Sequence, residues 1–399
     1  MAAKLGEEAI ALHRKHRGKI ELKAKFPVND RKMLSLAYTP GVADVCLAVK
    51  ENPELAYELT CKNNFAAVVS DGTRVLGLGD IGPLAALPVM EGKAMLLREF
   101  GGVDAVPICL SCKGEEEIVA AVKAIAPSFG AILLEDIESP KCFAVEERLA
   151  AELDIPVFHD DQHGTAIVAL AAMINALKIS GREGEKAKNA KIVVNGAGAA
   201  GVAIAKLLHA YGFVDLHVCD SKGTVTLQRT DLEEYKKELA KILPNGKSVA
   251  MREVLKGADV FIGVSMPNIL KEEDVGIMAQ KPIVFALCNP MPEISEEEAK
   301  KGGAFVYGSG RSDSSNQINN VLGFPGIFRG LLDCRARKVT HGMKIAAAEA
   351  IAKVAEAKGL NADKVVPDPF EPNLRDAVAK AVADAARREG VAQVSHLQQ

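Results

Sequence analysis

The 399-residue chain carries 49 basic and 52 acidic side chains, a formal net charge of -3, and 48% hydrophobic residues. A chain of this length fills two or three domains and buries ample core without a disulfide or a structural metal. Its charges are interspersed, which excludes the large single-sign field that nucleic acid or an anionic membrane selects and leaves a small neutral or anionic ligand as the expected partner.

The N-terminal stretch "EEAIALHRKHRGKIELKAKF" is basic, yet Glu7, Glu8 and Glu21 and the lack of a following apolar core argue against a targeting peptide. It predicts an amphipathic helix and an extended arm. No stretch reaches the roughly 18 to 20 apolar residues of a membrane span, so no membrane partner is expected. Eight cysteines, at 46, 61, 109, 112, 142, 219, 288 and 334, show no repeated spacing and suit the reduced thiols of a cytoplasmic protein. Cys109 and Cys112 form a single CxxC without the second pair of a zinc ribbon, and packing is the simpler reading.

"SLAYTPGVAD" sets Tyr38 before a Thr-Pro-Gly turn, where packing suffices as an explanation. The runs "FAAVVSD", "VDAVPICL", "GAILLED" and "IPVFHDD" are short, apolar and polar-ended, and they alternate with helix-like stretches. That rhythm predicts a parallel sheet covered by helices, with ligands at the carboxyl edge of the strands. Lys93, in "LPVMEGKAMLLREFGG", opens an apolar helix, and most such lysines are simply solvated.

Two of these strands end in paired acids, Glu135 and Asp136 in "AILLEDIES" and Asp160 and Asp161 in "PVFHDD". If the strands are neighbours, up to four carboxylates converge, and like charges at short range raise one another's pKa. A divalent cation removes the conflict, and oxygen-only donors favour Mg2+ or Mn2+ over zinc. Against this, adjacent strand residues point to opposite faces, and Asp161 also stands where an N-cap would precede "HGTAIVALAAM". His159 and His163 lack the helical spacing of a zinc site and read as support or packing.

A long helix is expected over "TAIVALAAMINALKIS", then a linker over "GREGEKAKNA". From residue 191 five strand candidates, "KIVVNG", "LHVCD", "DVFIGVS", "PIVFALCNP" and "AFVYGSG", predict a doubly wound dinucleotide-binding domain. "NGAGAAG", Asn195, Gly196, Ala197, Gly198, Ala199, Ala200 and Gly201, holds GxGxxG spacing between the first strand and a helix. The glycines allow a tight turn, close approach of a pyrophosphate and close helix packing, and the helix N-terminus offers free N-H groups. Asp220 ends the next strand, where a carboxylate would bind the ribose of NAD, while Ser221 and Lys222 beside it suit the 2'-phosphate of NADP. An ordinary turn would also explain "CDSKG". Asn289 in "FALCNPMPEI" and the pair Asn319 and Asn320 in "SDSSNQINNVLGFPGIF" are polar loop residues suited to ligand contact. The alanine-rich end of the chain predicts helices that pack back on the rest.

The expected fold class is therefore α/β: an N-terminal α/β domain over 1–163, a doubly wound parallel-sheet, Rossmann-type NAD(P)-binding domain over 164–333, and C-terminal helices over 334–399.

The motifs "SLAYTPGVA", "VVSDGTRVLGLGDIGPLAALPVMEGKA", "LLEDIESPKCF", "PVFHDDQHGTAI", "NGAGAAG" and "GRSDSSNQINNVLGFPGIFRG" occur in this order over most of residues 35 to 333. In this the chain resembles the malic enzymes, in particular their short prokaryotic-type subunit. The resemblance implies oxidative decarboxylation of L-malate to pyruvate and CO2, with NAD or NADP, Mg2+ or Mn2+, and a homodimer. It makes Tyr38 and Lys93 the acid and base, Glu135, Asp136 and Asp161 the metal ligands, and Asp160 a neighbouring active-site carboxylate. Asn289, Asn319 and Asn320 match contacts to substrate or nicotinamide. Arg74 and Asp80 depart from the short bacterial forms, which often carry alanine and asparagine there, and approach the longer enzymes. In those the arginine holds a substrate carboxylate, which nominates Arg74 as a clamp. As a base Lys93 must be neutral, so burial or a metal must lower its pKa. The competing readings are a metal-independent two-domain NAD(P) dehydrogenase, which leaves four carboxylates unexplained, and a nucleotide-sensing protein without catalysis.

Overall fold

A computed structural model describes residues 2–75 and 77–394. Leu76 and the two chain ends, including the last five residues of the predicted C-terminal segment, lie outside them. The first sheet consists of β1 (Phe65–Ser70), β2 (Asp104–Cys109), β3 (Ala131–Leu134) and β4 (Val157–His159), all parallel and in the order β2-β1-β3-β4. These are the four apolar runs expected from sequence. Strand alternation sorts β1 cleanly: Ala66 and Val68 face the helix Gly82–Gly101, while Ala67 and Val69 face the helices Glu115–Ile125 and Lys141–Glu152. Both faces are covered, as a parallel sheet requires.

The second sheet comprises β5 (Ile192–Asn195), β6 (Leu216–Asp220), β7 (Gly223–Thr224), β8 (Val260–Gly263), β9 (Ile283–Ala286) and β10 (Val306–Ser309), ordered β10-β9-β8-β5-β6-β7. Five strands are parallel, with the switch in direction of winding between β5 and β8, as in a dinucleotide-binding sheet. The two-residue β7 pairs antiparallel with β6 and departs from a purely parallel sheet.

The helix Asp160–Ile179 crosses the predicted junction at 163 and joins the two sheets. It is apolar all round, and Ala166 to Ala172 are completely or almost completely buried, which suits a helix enclosed by protein. The helices Ala199–Tyr211 and His341–Glu356 pack on it. The buried amide of Asn175, in its second half, donates to the carbonyls of Ala352 and Val365 at 2.9 Å each, which fastens the C-terminal segment to the centre. The helices His341–Glu356 and Leu374–Arg388 do pack back on the chain, the latter against Phe324–Asp333.

One expectation fails in detail. The predicted linker over 181–190 is tied down: Arg182 bonds Asp259 at 2.8 Å and the Gln280 carbonyl at 2.6 Å, and Glu185–Lys188 is helical. The N-terminal stretch Arg31–Glu51 is apolar on balance but carries Arg31, Lys32, Asp44, Lys50 and Glu51, so it is no continuous apolar run. It is two helices, Arg31–Ala37 and Val42–Glu51, broken at Tyr38–Gly41, and none of it is buried in one copy of the chain.

Candidate active site

Strand register decides which acids meet. Leu134 of β3 pairs with His159 of β4, so the residues that follow each strand emerge side by side at one carboxyl edge. Glu135 and Asp136 escape strand alternation because Asp136 takes the left-handed conformation, φ 54°, which turns the chain just past the strand. The backbone N-H of Asp136 donates to Asp161 Oδ2 at 2.8 Å, and its carbonyl accepts from Arg74 N at 3.0 Å. Asp161 is therefore not the N-cap: His159 holds that position, and both aspartates lie in the first helical turn.

Glu135, Asp136 and Asp161 each present a carboxylate oxygen within 4.8 Å of the others. Burial pushes Glu135 well above the usual carboxylate range, and the carboxylates of Asp161, Asp160 and Asp136 add to this against Lys93. Its Oε2 is buried with no hydrogen-bond partner. Two like charges 4 Å apart repel by on the order of 4 kcal/mol even at a screened effective dielectric near 20. An orphaned buried oxygen in an all-oxygen, over-charged set is the arrangement a hard divalent cation satisfies, so these three residues fit Mg2+ or Mn2+.

Lys93, from the second half of the helix Gly82–Gly101, is only 9% exposed. Its Nζ lies 3.0 Å from Glu135 Oε1, hydrogen-bonds Asp160 Oδ2 and stands over the Phe324 ring at 4.9 Å. Burial pulls the ammonium down, but Asp160 and Glu135 outweigh burial and hold it above its ordinary value. The lowered pKa that a base needs is thus not a property of the protein groups alone. Asp160 in turn accepts from Asn320 Nδ2 at 2.6 Å, which brings a loop beyond the second sheet into contact with the first.

The glycine turn lies across this edge. A side chain on Gly196 (φ 125°) would meet the Val264 carbonyl at 2.7 Å, and one on Gly201 would meet the Gly196 carbonyl at 1.7 Å, so only glycine closes the turn. Gly198, by contrast, has nothing nearer than Ser139 Oγ at 3.9 Å, three residues beyond Asp136. The space a pyrophosphate would fill is open at the N-terminus of the helix Ala199–Tyr211, and it borders the acidic edge.

At the end of β6, Asp220 accepts from Lys222 N at 2.9 Å and Arg229 Nη1 at 2.7 Å, and Lys236 stands 3.6 Å away. Burial raises Asp220, but Arg229 and the Lys222 N-H more than offset it and keep the carboxylate low. Arg229 also grips Asp231 with two bonds at 2.9 Å, and Lys222 Nζ reaches the same acid at 2.7 Å. Ser221 is exposed beside them.

Other predicted residues fall elsewhere. The Asn195 side chain is buried and bonds Ser265 Oγ at 2.8 Å, tying β5 to β8. Asn319 caps Val321 and donates to the Gly310 carbonyl, so only Asn320 of the pair touches the acids. Asn289 ends at a turn against which Gly77 packs, a side chain there meeting the Asn289 carbonyl at 2.7 Å. Arg74 is exposed on that same crossing loop, near Cys288. Tyr38 is 66% exposed on the N-terminal arm, and among the described residues its side chain makes no hydrogen bond or ring contact. Sequence reasoning missed the buried Asp71, held by Lys141 at 2.5 Å, and missed Glu146, Arg229, Lys236 and Lys344. Asp71, Glu146 and Lys344 gain their partners only through the fold, whereas Arg229 and Lys236 also pair with Asp231 and Glu233 two and three residues away, a local signal that charge spacing carried.

Residues 17–117 match the family model "Malic enzyme, N-terminal domain" and residues 162–387 match "Malic enzyme, NAD binding domain". The chain is 53% identical to the bifunctional malic/malolactic enzyme of Bacillus subtilis, over 98% of this chain and 95% of that one. It is 55% identical to the NAD-dependent malic enzyme of Geobacillus stearothermophilus, over 95% and 79%. Among solved structures, the NAD-dependent malic enzyme of Thermotoga maritima superposes with a TM-score of 0.89 at 48% identity, covering 94% of this chain and 98% of that one.

Proposed function

Because this chain belongs to the malic enzyme family, we propose that it oxidises L-malate with NAD or NADP and a divalent cation and releases pyruvate and CO2. The observation that carries the reading is the buried Lys93 amine, in contact at once with Glu135 of the acidic triad and with Asp160. A nicotinamide held at the glycine turn would supply a hydride acceptor, and a cation held by Glu135, Asp136 and Asp161 would supply positive charge that offsets the carboxylates holding Lys93 protonated.

Lys93 Nζ takes the proton of the C2 hydroxyl as the alcohol becomes a ketone. Asp160 orients that amine and receives its charge, and Asn320 holds Asp160 in place. Loss of C4 as CO2 leaves the electron pair of the C3-C4 bond as an enolate, and a proton returned to C3 completes pyruvate. Arg74, on the loop that crosses to Asn289, is free to pair with a substrate carboxylate. Gly196 to Gly201 cradle the pyrophosphate, and Asp220 with its cationic neighbours faces the ribose.

Tyr38 supplies the proton to C3 from a second copy of the chain. This accords with an arm whose helices Arg31–Ala37 and Val42–Glu51 bury nothing within one copy, although Leu34, Leu36, Val45 and Leu47 are exposed apolar residues. The same pairing makes the protein a homodimer, and the eight unpaired cysteines suit a cytoplasmic setting. Absorbance growth of NADH or NADPH with L-malate and Mn2+, followed by pyruvate detection, tests the activity. Cofactor binding without turnover would refute it. Sedimentation tests the pairing, a monomer at assay concentration being the contrary result.

A further inference from the structure

We propose that Glu146 is a positioning residue for the metal-binding edge: acting through Gln162, it fixes the tautomer of His159 that presents an N-H to Asp161. The inference rests on the reading that Glu135, Asp136 and Asp161 hold a divalent cation.

Glu146 sits on the helix Lys141–Glu152, between the two acid pairs in sequence, and its side chain is only 14% exposed. Its Oε1 accepts from the backbone N-H of His159 at 3.0 Å. Its Oε2 accepts from Gln162 Nε2 and lies against His163 Nε2, both at 2.9 Å. One carboxylate thus holds three groups of the turn that carries Asp160 and Asp161. Burial alone would protonate it, but His163, Lys344 and His159 together keep it at about 2.

The direction of each bond follows from that ionised state. A carboxylate only accepts, so Gln162 must turn its NH2, not its carbonyl, toward Glu146. The same Gln162 nitrogen lies 3.0 Å from His159 Nδ1. A donor there requires Nδ1 to accept, which places the ring proton on Nε2. Nε2, buried and without a hydrogen-bond partner, lies 3.4 Å from Asp161 Oδ2, the oxygen that also accepts from Asp136 N, so the contact is one of charge and dipole rather than a closed hydrogen bond. The chain of directions therefore runs from Glu146 through the Gln162 amide and the His159 imidazole to the Asp161 carboxylate. His163 obeys the same logic: its Nε2-H faces Glu146, and its Nδ1 takes a bond from Lys344 Nζ at 3.0 Å, so the C-terminal helix His341–Glu356 also bears on the turn. Without the carboxylate, Gln162 is free to flip, Nδ1 can carry the proton, and the Nε2 lone pair then faces the Asp161 oxygens and drives them from their common focus with Glu135 and Asp136. Partners of this kind around metal sites contribute a factor of about 10 to 100 in metal affinity or activity.

The test is Mn2+ binding to the full chain, read as loss of the free-ion electron paramagnetic resonance signal, with NADH affinity measured in parallel. The variants are Glu146→Gln, Gln162→Met and Asp161→Asn. Wild type should bind saturably and Asp161→Asn should not. Glu146→Gln and Gln162→Met should weaken Mn2+ about 10-fold or more, with NADH affinity within about twofold and turnover at saturating Mn2+ much less affected than the Mn2+ requirement. A folded Glu146→Gln or Gln162→Met that binds Mn2+ like wild type overturns the proposal. So does equal loss of Mn2+ and NADH affinity, the mark of a merely structural role. Should both variants fail to fold, 15N-histidine spectra of wild type still decide: the proposal requires His159 with Nδ1 bare and Nε2 protonated, and the opposite tautomer refutes it. A wild type that does not bind Mn2+ sinks the metal reading itself, and this inference with it.

Discussion

The two sheets present acidic carboxyl edges that differ in charge balance. At the ends of β3 and β4, Glu135, Asp136, Asp160 and Asp161 crowd together, and among the described residues Lys93 pairs with Glu135 and Asp160. At the end of β6, Asp220, Asp231 and Glu233 are matched by Lys222, Arg229 and Lys236 in short ion pairs. Balanced charge needs nothing further and can serve recognition by hydrogen bonds. Unbalanced buried charge is costly unless a ligand completes it, and it is there that a proton and an electron pair can be moved.

Changes at the unbalanced edge should have the largest effects. Lys93→Ala should lower turnover by on the order of 10²- to 10⁴-fold while NADH affinity stays within a few-fold, measured by steady-state rates and fluorescence titration. Near-normal turnover would remove Lys93 from the chemistry.

Next comes a stability effect of the opposite sign. Glu135 is held above its ordinary 4.5 in the folded protein by burial and by its neighbouring carboxylates. The native state then binds more protons than the unfolded state, so this group's contribution to stability is greatest below the unfolded pKa and is lost as pH rises toward the folded one. The Glu135→Gln variant, kept in chelator, should therefore gain melting temperature over wild type at pH 7 to 8 and lose that advantage near pH 4. It should also lose the rise in melting temperature that Mn2+ gives wild type. A variant that melts below wild type at pH 8 in chelator would mean the edge is not over-charged.

The balanced edge should respond least. Arg229→Ala leaves Asp220 and Asp231 without their shared guanidinium, and cofactor affinity should fall about tenfold, near 1.4 kcal/mol, with little change in turnover at saturating cofactor. A loss of turnover as large as that of Lys93→Ala would erase the distinction between the edges.

What the sequence made legible was local or periodic. Among the described residues, the nine strands longer than two residues, the glycine turn and the acid pairs all announce themselves by run length, spacing and the polar end of an apolar run. Convergence of the acids was conditional until the register of Leu134 with His159 made them neighbours, and the strand-alternation objection fell only because Asp136 adopts a left-handed φ. Asp161 looked like a cap because its position before an apolar run permits one; the actual boundary lies two residues earlier. Glu146 and Lys344 were invisible because they lie 17 and 181 residues from His163, and a lone charged residue on a helix carries no sign of a buried partner. Tyr38 was nominated by resemblance alone, and one copy of the chain leaves it in solvent.

The central claim is that the unbalanced edge is completed by a divalent cation and then oxidises malate. Its most direct test is malate-dependent NAD(P)H formation by chelator-treated protein, before and after Mn2+ is restored, in wild type and Asp161→Asn. The account predicts that wild type loses turnover in chelator and regains it with Mn2+, while Asp161→Asn stays inactive at Mn2+ concentrations that saturate wild type. Undiminished turnover in chelator, or an Asp161→Asn variant restored like wild type, would contradict it.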